Sequence, residues 1–354
     1  MTLDELGYTG ELKEYRKENK LDSFGVGRVI SEHKDRYSVK TEMDEFEAEL
    51  LGNLRFTAKD RNDFPAVGDW VSISVYDDQK ALIHAVFPRK SIVQRKAVGK
   101  LGQSQIIATN IDFGLILQSV NRDFNLNRLE RYLTICNDSK IAPIIILSKV
   151  DLIEKRHLDV LLAQIKVRIK NIPVFAISNQ SQFGINEVKS MLVKGKTYCL
   201  LGSSGVGKST LTNTLTGADL MDTGEISKSI DRGKHVTSHR ELIVLENGIF
   251  IDNPGMREVG ITDVSDGLEM TFEEILTLAK KCKYRDCTHS AEKGCAILGA
   301  IENEKLDPET YDNFMKMQRE KLHYESDNKV RKKKEKSLGK MIKSAQKQRR
   351  NNKY

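Results

Sequence analysis

The chain of 354 residues has one tryptophan, six prolines and few aromatic residues, and it lacks a long apolar run. Its most apolar stretch, residues 141–147, falls far short of the ~18 residues that a membrane span needs, so no membrane association is expected. Asp4 and Glu5 come before any apolar segment, which argues against a secretory signal and for a cytoplasmic protein. Cysteine is scarce, with five in all. No internal repeat is visible. Acids are nearly missing from residues 329–354, which hold 12 of the 57 Lys+Arg and one acid, Glu335. The remaining 45 basic and 49 acidic residues give a body of charge −4, so the formal +7 belongs to an appended tail. Such a tail reads as a polyanion-binding arm, most plausibly for RNA, or as a solubilising terminus.

The length suggests two to three domains. Residues 26–30, 37–39, 47–51, 69–74 and 82–86 read as short strands separated by Gly, Pro, Asn and Asp, the texture of a small barrel. Residues 1–20 suit a short helix ahead of it. Strands at 112–118, 144–147, 174–177 and 197–201 then alternate with helices at 126–136, 158–169, 185–192 and 209–215. Two more strands follow at 241–245 and 249–251. Alternation of this kind means βαβ units and a mainly parallel, doubly wound α/β sheet. Residues 263–325 turn helical around a Cys/His cluster. The expected units are therefore 1–100, 101–262, 263–325 and a low-complexity tail, 326–354.

Gly202-Ser203-Ser204-Gly205-Val206-Gly207-Lys208-Ser209 matches G-x-x-x-x-G-K-[ST], between a buried-type strand and a helix opened by Thr210. Glycines let backbone N–H groups wrap phosphates, and the helix N-terminus adds positive potential. Lys208 suits the β/γ oxygens of a nucleotide and Ser209 suits Mg2+. Asp252-Asn253-Pro254-Gly255 has the D-x-P-G form of a γ-phosphate sensor, with Asp252 on Mg2+ through water and the Gly255 N–H on the phosphate. Between them, residues 217–240 are polar and aperiodic, as a switch loop would be. Thr237 is its expected Mg2+ ligand, with Ser238 as the alternative. Ser148-Lys149-Val150-Asp151 resembles the N-K-x-D base-reading motif of GTPases. There the Asp accepts two guanine hydrogens and the Lys stem covers the base; an ordinary strand-to-helix turn with Asp151 as N-cap is the other reading. Ser178-Asn179 would supply a backbone contact to the base. These base-reading elements precede the phosphate loop here, the order of a circular permutation. The sheet permits it because all the loops leave one carboxyl edge.

Cys282, Cys287, His289 and Cys295 fall within 14 residues as Cys-x4-Cys-x-His-x5-Cys. Three thiolates and an imidazole suit a closed, structural tetrahedral Zn2+ site. Cys136 and Cys199, isolated in apolar runs, read as buried small hydrophobes.

Together the barrel with Pro65-Ala66-Val67-Gly68-Asp69-Trp70-Val71, the permuted GTPase motifs and the Cys/His module resemble the RsgA (YjeQ/YloQ) family of small-subunit-dependent GTPases, over about residues 25–325. The resemblance implies an OB-fold N-terminal domain, a circularly permuted P-loop GTPase centre and a C-terminal zinc-binding domain. It also implies GTP/GDP, Mg2+ and one Zn2+ as cofactors. It further implies a role in late maturation of the small ribosomal subunit, with hydrolysis slow until the subunit stimulates it. Three positions depart from the family: Ser148 where Asn is usual, Val236-Thr237-Ser238 where it tends to have three threonines, and Asn253 for the common Thr. Met256 stands where Ras-like GTPases place a water-orienting Gln, and a thioether forms no such hydrogen bond. The missing group must come from the switch loop, with His235 and His239 as candidates, or from the ribosome. Arg89, Lys90, Arg95, Lys96 and Lys100 are expected to contact rRNA phosphates together with the tail. A monomer is expected. The rival readings are a non-hydrolysing, nucleotide-switched RNA-binding assembly factor and a P-loop kinase or ATPase.

Overall fold

The computed structural model describes residues 1–33, 36–58, 60–96, 104–121, 124–217, 241–252 and 265–323. The expectations at Lys100, His235, Thr237, Ser238, His239, Asn253, Gly255 and Met256, and on the tail, lie outside the described residues. Helix α1 (Gly10–Glu18) precedes five strands, β1 (Gly25–His33), β2 (Arg36–Lys40), β3 (Glu45–Leu50), β4 (Trp70–Asp77) and β5 (Lys80–Val86), with α2 (Gly52–Thr57) between β3 and β4. The strands pair in the order β1-β2-β3-β5-β4, and β4 returns to β1 through Gly25↔Ile73 and Arg28↔Trp70. The pair β3–β5 is parallel and the others are antiparallel. This is a closed five-stranded barrel with the expected OB-fold character. Val29, Val39, Ala48, Val71, Ile73, Ala81 and Ile83 fill its interior. The sequence reading missed α2, whose six residues are too few to display a period.

An antiparallel ribbon follows, β6 (Ile92–Lys96) with β7 (Ser104–Thr109), and it spans the boundary expected at residue 100. The second unit has strands β8 (Phe113–Ser119), β9 (Ala142–Ser148), β10 (Val174–Ala176), β11 (Thr197–Leu201), β12 (Glu241–Leu245) and β13 (Gly248–Asp252). Their order is β10-β9-β8-β11-β13-β12, parallel throughout except for the β12–β13 hairpin. Helices α3 (Leu126–Asp138) and α4 (Lys155–Arg168) cover one face, and α5 (Ile185–Met191) and α6 (Lys208–Thr216) cover the other. Central strand β11 shows why both faces are covered. Cys199 and Leu201 enter one apolar layer, Tyr198 and Leu200 the other. Strand β12 also meets β1 at Ser31↔Glu241, so one sheet runs on into the barrel.

Helices α7 (Ser265–Thr271), α8 (Glu273–Ala279) and α9 (Ala296–Glu302), with a further helix over residues 308–323, enclose a small core of Leu268, Phe272, Ile275, Ile297, Phe314 and Met317. This unit sits directly on α3. A Cβ on Gly267 would lie 2.3 Å from the Thr134 carbonyl oxygen, so only glycine permits that approach of α7 to α3. Beside it, Glu130 and Arg168 form an ion pair whose side chains are almost wholly buried, and Asn313 donates to Glu130 at 2.5 Å. Among the described residues no helix is long and apolar enough to cross a membrane.

Candidate nucleotide site

Strand β11 ends at Leu201 and the chain turns through Gly202–Gly207 into α6. Gly202 has φ +149, and a Cβ there would lie 2.4 Å from the Leu117 carbonyl oxygen, so the turn depends on its lack of a side chain. Gly207 is the N-cap residue of α6 and offers no side-chain hydrogen bond to the first-turn N–H groups. Such N–H groups attract anions. The Lys208 Nζ donates to the Gly202 carbonyl at 2.8 Å and to the Ser203 carbonyl at 2.6 Å, which holds the ammonium across the loop. The half-buried Ser209 is the second residue of α6. Thr210 follows it, exposed.

The base-side loop meets this loop directly. Ser148 is buried at the end of β9, and its hydroxyl donates to the Val206 carbonyl at 2.6 Å. Lys149 takes the left-handed conformation, with φ 62. Its Nζ donates to the Gly205 carbonyl at 2.7 Å. The Val150 N–H donates to the Ile177 carbonyl, which ties in the third loop. Asp151 lies exposed in the short turn Val150–Leu152. In that third loop the buried Ser178 hydroxyl accepts from the Ser181 N–H at 3.0 Å. The Asn179 carbonyl accepts from Gln182 Nε2 at 2.6 Å. Residues 148–151, 178–179 and 202–209 therefore form one cluster at the carboxyl edge of the sheet. Asp252 ends β13, the strand that neighbours β11.

The second cluster is Cys282, Cys287, His289 and Cys295, whose ligand atoms all lie within 4.8 Å of one another. The Cys282 and Cys295 sulfurs are 3.9 Å apart, and each lies 3.5 Å from His289 Nδ1. Two sulfurs at ~2.3 Å from one tetrahedral ion would be about 3.8 Å apart, so the spacing fits Zn2+. The Ala296 and Leu298 N–H groups point at the Cys282 and Cys295 sulfurs, a favourable arrangement for thiolates. Tyr311 donates to the His289 carbonyl and anchors the cluster to the helix over residues 308–323.

In the basic cluster after the barrel, Arg89 differs from the expectation. Arg89 is spent internally: it pairs with fully buried Asp69 at 2.6 Å and donates to the Asn62 and Phe64 carbonyls. Lys90 pairs with Asp112 at 2.7 Å. Arg89 is not available for a phosphate in the way expected, because partners 20 and more residues away hold it, whereas the Lys90 side chain stays 40% exposed. The sequence reading also passed over Arg28, which is 1% exposed. Arg28 donates to the Leu6, Gly68 and Asn110 carbonyls and to the Thr197 hydroxyl, and so pins the barrel to β11. Nothing in the local pattern of β1 marks that arginine as inward-facing.

The family model for the RsgA GTPase matches residues 86–262. A protein of Listeria monocytogenes serotype 4b (strain F2365), named small ribosomal subunit biogenesis GTPase RsgA 2, is 42% identical over 330 residues, 93% of this chain and 92% of its own. Its namesake from Opitutus terrae is 38% identical over 340 residues, 91% of this chain and 90% of its own. Among solved structures, YjeQ from Thermotoga maritima aligns with a TM-score of 0.63 at 23% identity, covering 84% of this chain and 98% of that one. YloQ, described as a circularly permuted GTPase, aligns with a TM-score of 0.63 at 24% identity, covering 85% and 96%. The fold, with barrel, sheet and C-terminal helices, is shared with both.

Proposed function

The chain belongs to the RsgA GTPase family, enzymes that hydrolyse GTP, and from that premise we propose that it acts on the small ribosomal subunit during its maturation, with the clustered loops as its GTP site. One observation carries the nucleotide reading. Ser148 and Lys149 hydrogen-bond to the backbone of the phosphate loop, and this direct contact between the base-side and phosphate loops supports one nucleotide bound across both.

In this reading Asp151 accepts the N1 and N2 hydrogens of guanine. Adenine has no such donor pair, and an unpaired Asp151 would reject it. The stem of Lys149 lies over the base, and the 178–179 loop flanks it. Residues Gly202, Ser203, Ser204, Gly205, Val206 and Gly207 cradle the phosphates with backbone N–H groups. Lys208 neutralises the β/γ oxygens while its carbonyl partners hold it in place. Ser209 and Thr237 would hold Mg2+, which when bound offsets phosphate charge. Asp252 and Gly255 would sense the γ-phosphate. His235 or His239, or the subunit itself, would place the attacking water in the absence of a glutamine at Met256. The Cys282, Cys287, His289 and Cys295 cluster would hold one structural Zn2+. The barrel, the β6–β7 ribbon and the basic tail would contact rRNA. The names of the relatives support the partner.

The test is GTP turnover by the purified protein, alone and with purified small subunits. The expected outcome is turnover on the order of 10⁻⁴–10⁻² s⁻¹ alone, rising when subunits are added. Binding without multiple turnover would favour the non-hydrolysing switch, and preference for ATP over GTP would overturn the guanine reading.

A further inference from the structure

The Asn179 side chain stands where the three loops meet. Its Oδ1 is buried and has no hydrogen-bond partner among the described residues. Its Nδ2 would lie 3.6 Å from a Cβ placed on Gly207, so the amide rests against the start of α6. The neighbouring Val206 carbonyl is the acceptor for Ser148. A buried amide oxygen without a donor is costly in the free protein. A buried polar group left unpaired inside a binding site is one that a ligand can satisfy. The residue does not drift, because its carbonyl is held by Gln182 and the preceding Ser178 hydroxyl by Ser181.

Ser148 explains why such a group is needed. A serine hydroxyl has one hydrogen, and here it goes to Val206. An asparagine in that place would carry two N–H donors, one for the loop and one to spare. The shorter side chain leaves the strand end without a donor for the nucleotide. Guanine presents two kinds of edge: N1–H and N2–H2 donors, and O6 and N7 acceptors. Asp151 matches only the donors. We propose that the Asn179 carboxamide reads the O6/N7 acceptor edge once it turns over, with Nδ2 taking the position of the unpaired Oδ1 and replacing the donor that Ser148 lacks. A half-turn of the amide exchanges its two ends without moving the backbone. Asn179 is thus a specificity-determining residue, beyond the backbone contact expected of its loop. This assignment rests on the guanine-nucleotide reading above.

The test is a binding cycle on the full-length protein. Wild type and Asn179→Ala are each titrated with GDP, 6-thio-GDP (which keeps the N1 and N2 donors but has a weak sulfur acceptor at position 6) and 7-deaza-GDP (which lacks N7). Wild type is expected to bind one of the two analogues about tenfold more weakly than GDP, and the variant to bind GDP about tenfold more weakly than wild type does. In the variant the penalty for that analogue should fall to within about twofold. Without nucleotide, Asn179→Ala should melt no lower than wild type, since it removes an unpaired oxygen. A variant that keeps wild-type GDP affinity, or that keeps the full penalty for both analogues, overturns the role of Asn179 and leaves the GTP site standing. Wild type that binds ADP as well as GDP overturns the guanine reading itself.

Discussion

At the scale of the residue, burial decides role more than charge does. Arg89 looks in the sequence like one of a run of RNA-facing cations, yet it neutralises an aspartate from which water is excluded. Arg89→Ala would leave the buried Asp69 without its counter-charge, with only the Ala66 N–H and the Thr109 hydroxyl still donating to it. Such a loss typically costs about 3–5 kcal/mol. The expected outcome is a clear drop in thermal midpoint, and Arg89→Lys should recover only part of it because a point charge does not replace the guanidinium fork. Salt-dependent RNA binding should not change in any preparation that remains folded. The phosphate-loop residues were legible because their chemistry is local and their spacing fixed. The partners of Arg89, Arg28 and Glu130 were not, because each pairing spans 20 to 169 residues of sequence and leaves no short-range pattern.

At the scale of the element, periodicity carried the strands and helices of the α/β sheet to within a few residues of their observed ends. Strands β11 and β12 start and stop where the pattern put them. The β6–β7 ribbon was missed: its first strand trails into Gln94-Arg95-Lys96, and the polar turn signals that mark a hairpin are spread over a long connection. The cysteines divide by element as their sequence neighbours suggested. Burial in α3 lifts the Cys136 thiol well above its ordinary value, and burial in β11 pushes Cys199 up to about 12. A thiol reacts as its thiolate, so both should be inert at pH 8. Alkylation followed by mass spectrometry should therefore label Cys282, Cys287 and Cys295 once a chelator is added. Cys136 and Cys199 should follow only in denaturant. Labelling of all five in the native, chelator-free protein would contradict this division.

At the scale of the whole molecule, two buried polar joints fix the units to one another. Arg28 ties the barrel and the N-terminal segment to β11, while Glu130, Arg168 and Asn313 tie the C-terminal helices to α3 and α4. Burial lowers the Arg28 guanidinium to about 10, still protonated at neutral pH, so its hydrogen bonds are charge-assisted. Arg28→Met keeps the stem and strips the donors from three carbonyls. A loss on the order of 3 kcal/mol is expected, read as a lower denaturant midpoint. If the midpoint does not move, this joint contributes nothing to the docking. The junction of β1 with β12 has a further result. An open sheet is vulnerable along its outermost strands, where unpaired N–H and C=O groups invite another chain. Here β10 is only three residues long, and the opposite rim is covered by the barrel. Cutting the barrel away would uncover that rim along with the apolar Leu242 beside it. A nucleotide-binding fragment produced alone should therefore be prone to self-association, and the N-terminal barrel serves the rest of the chain as a built-in guard against aggregation.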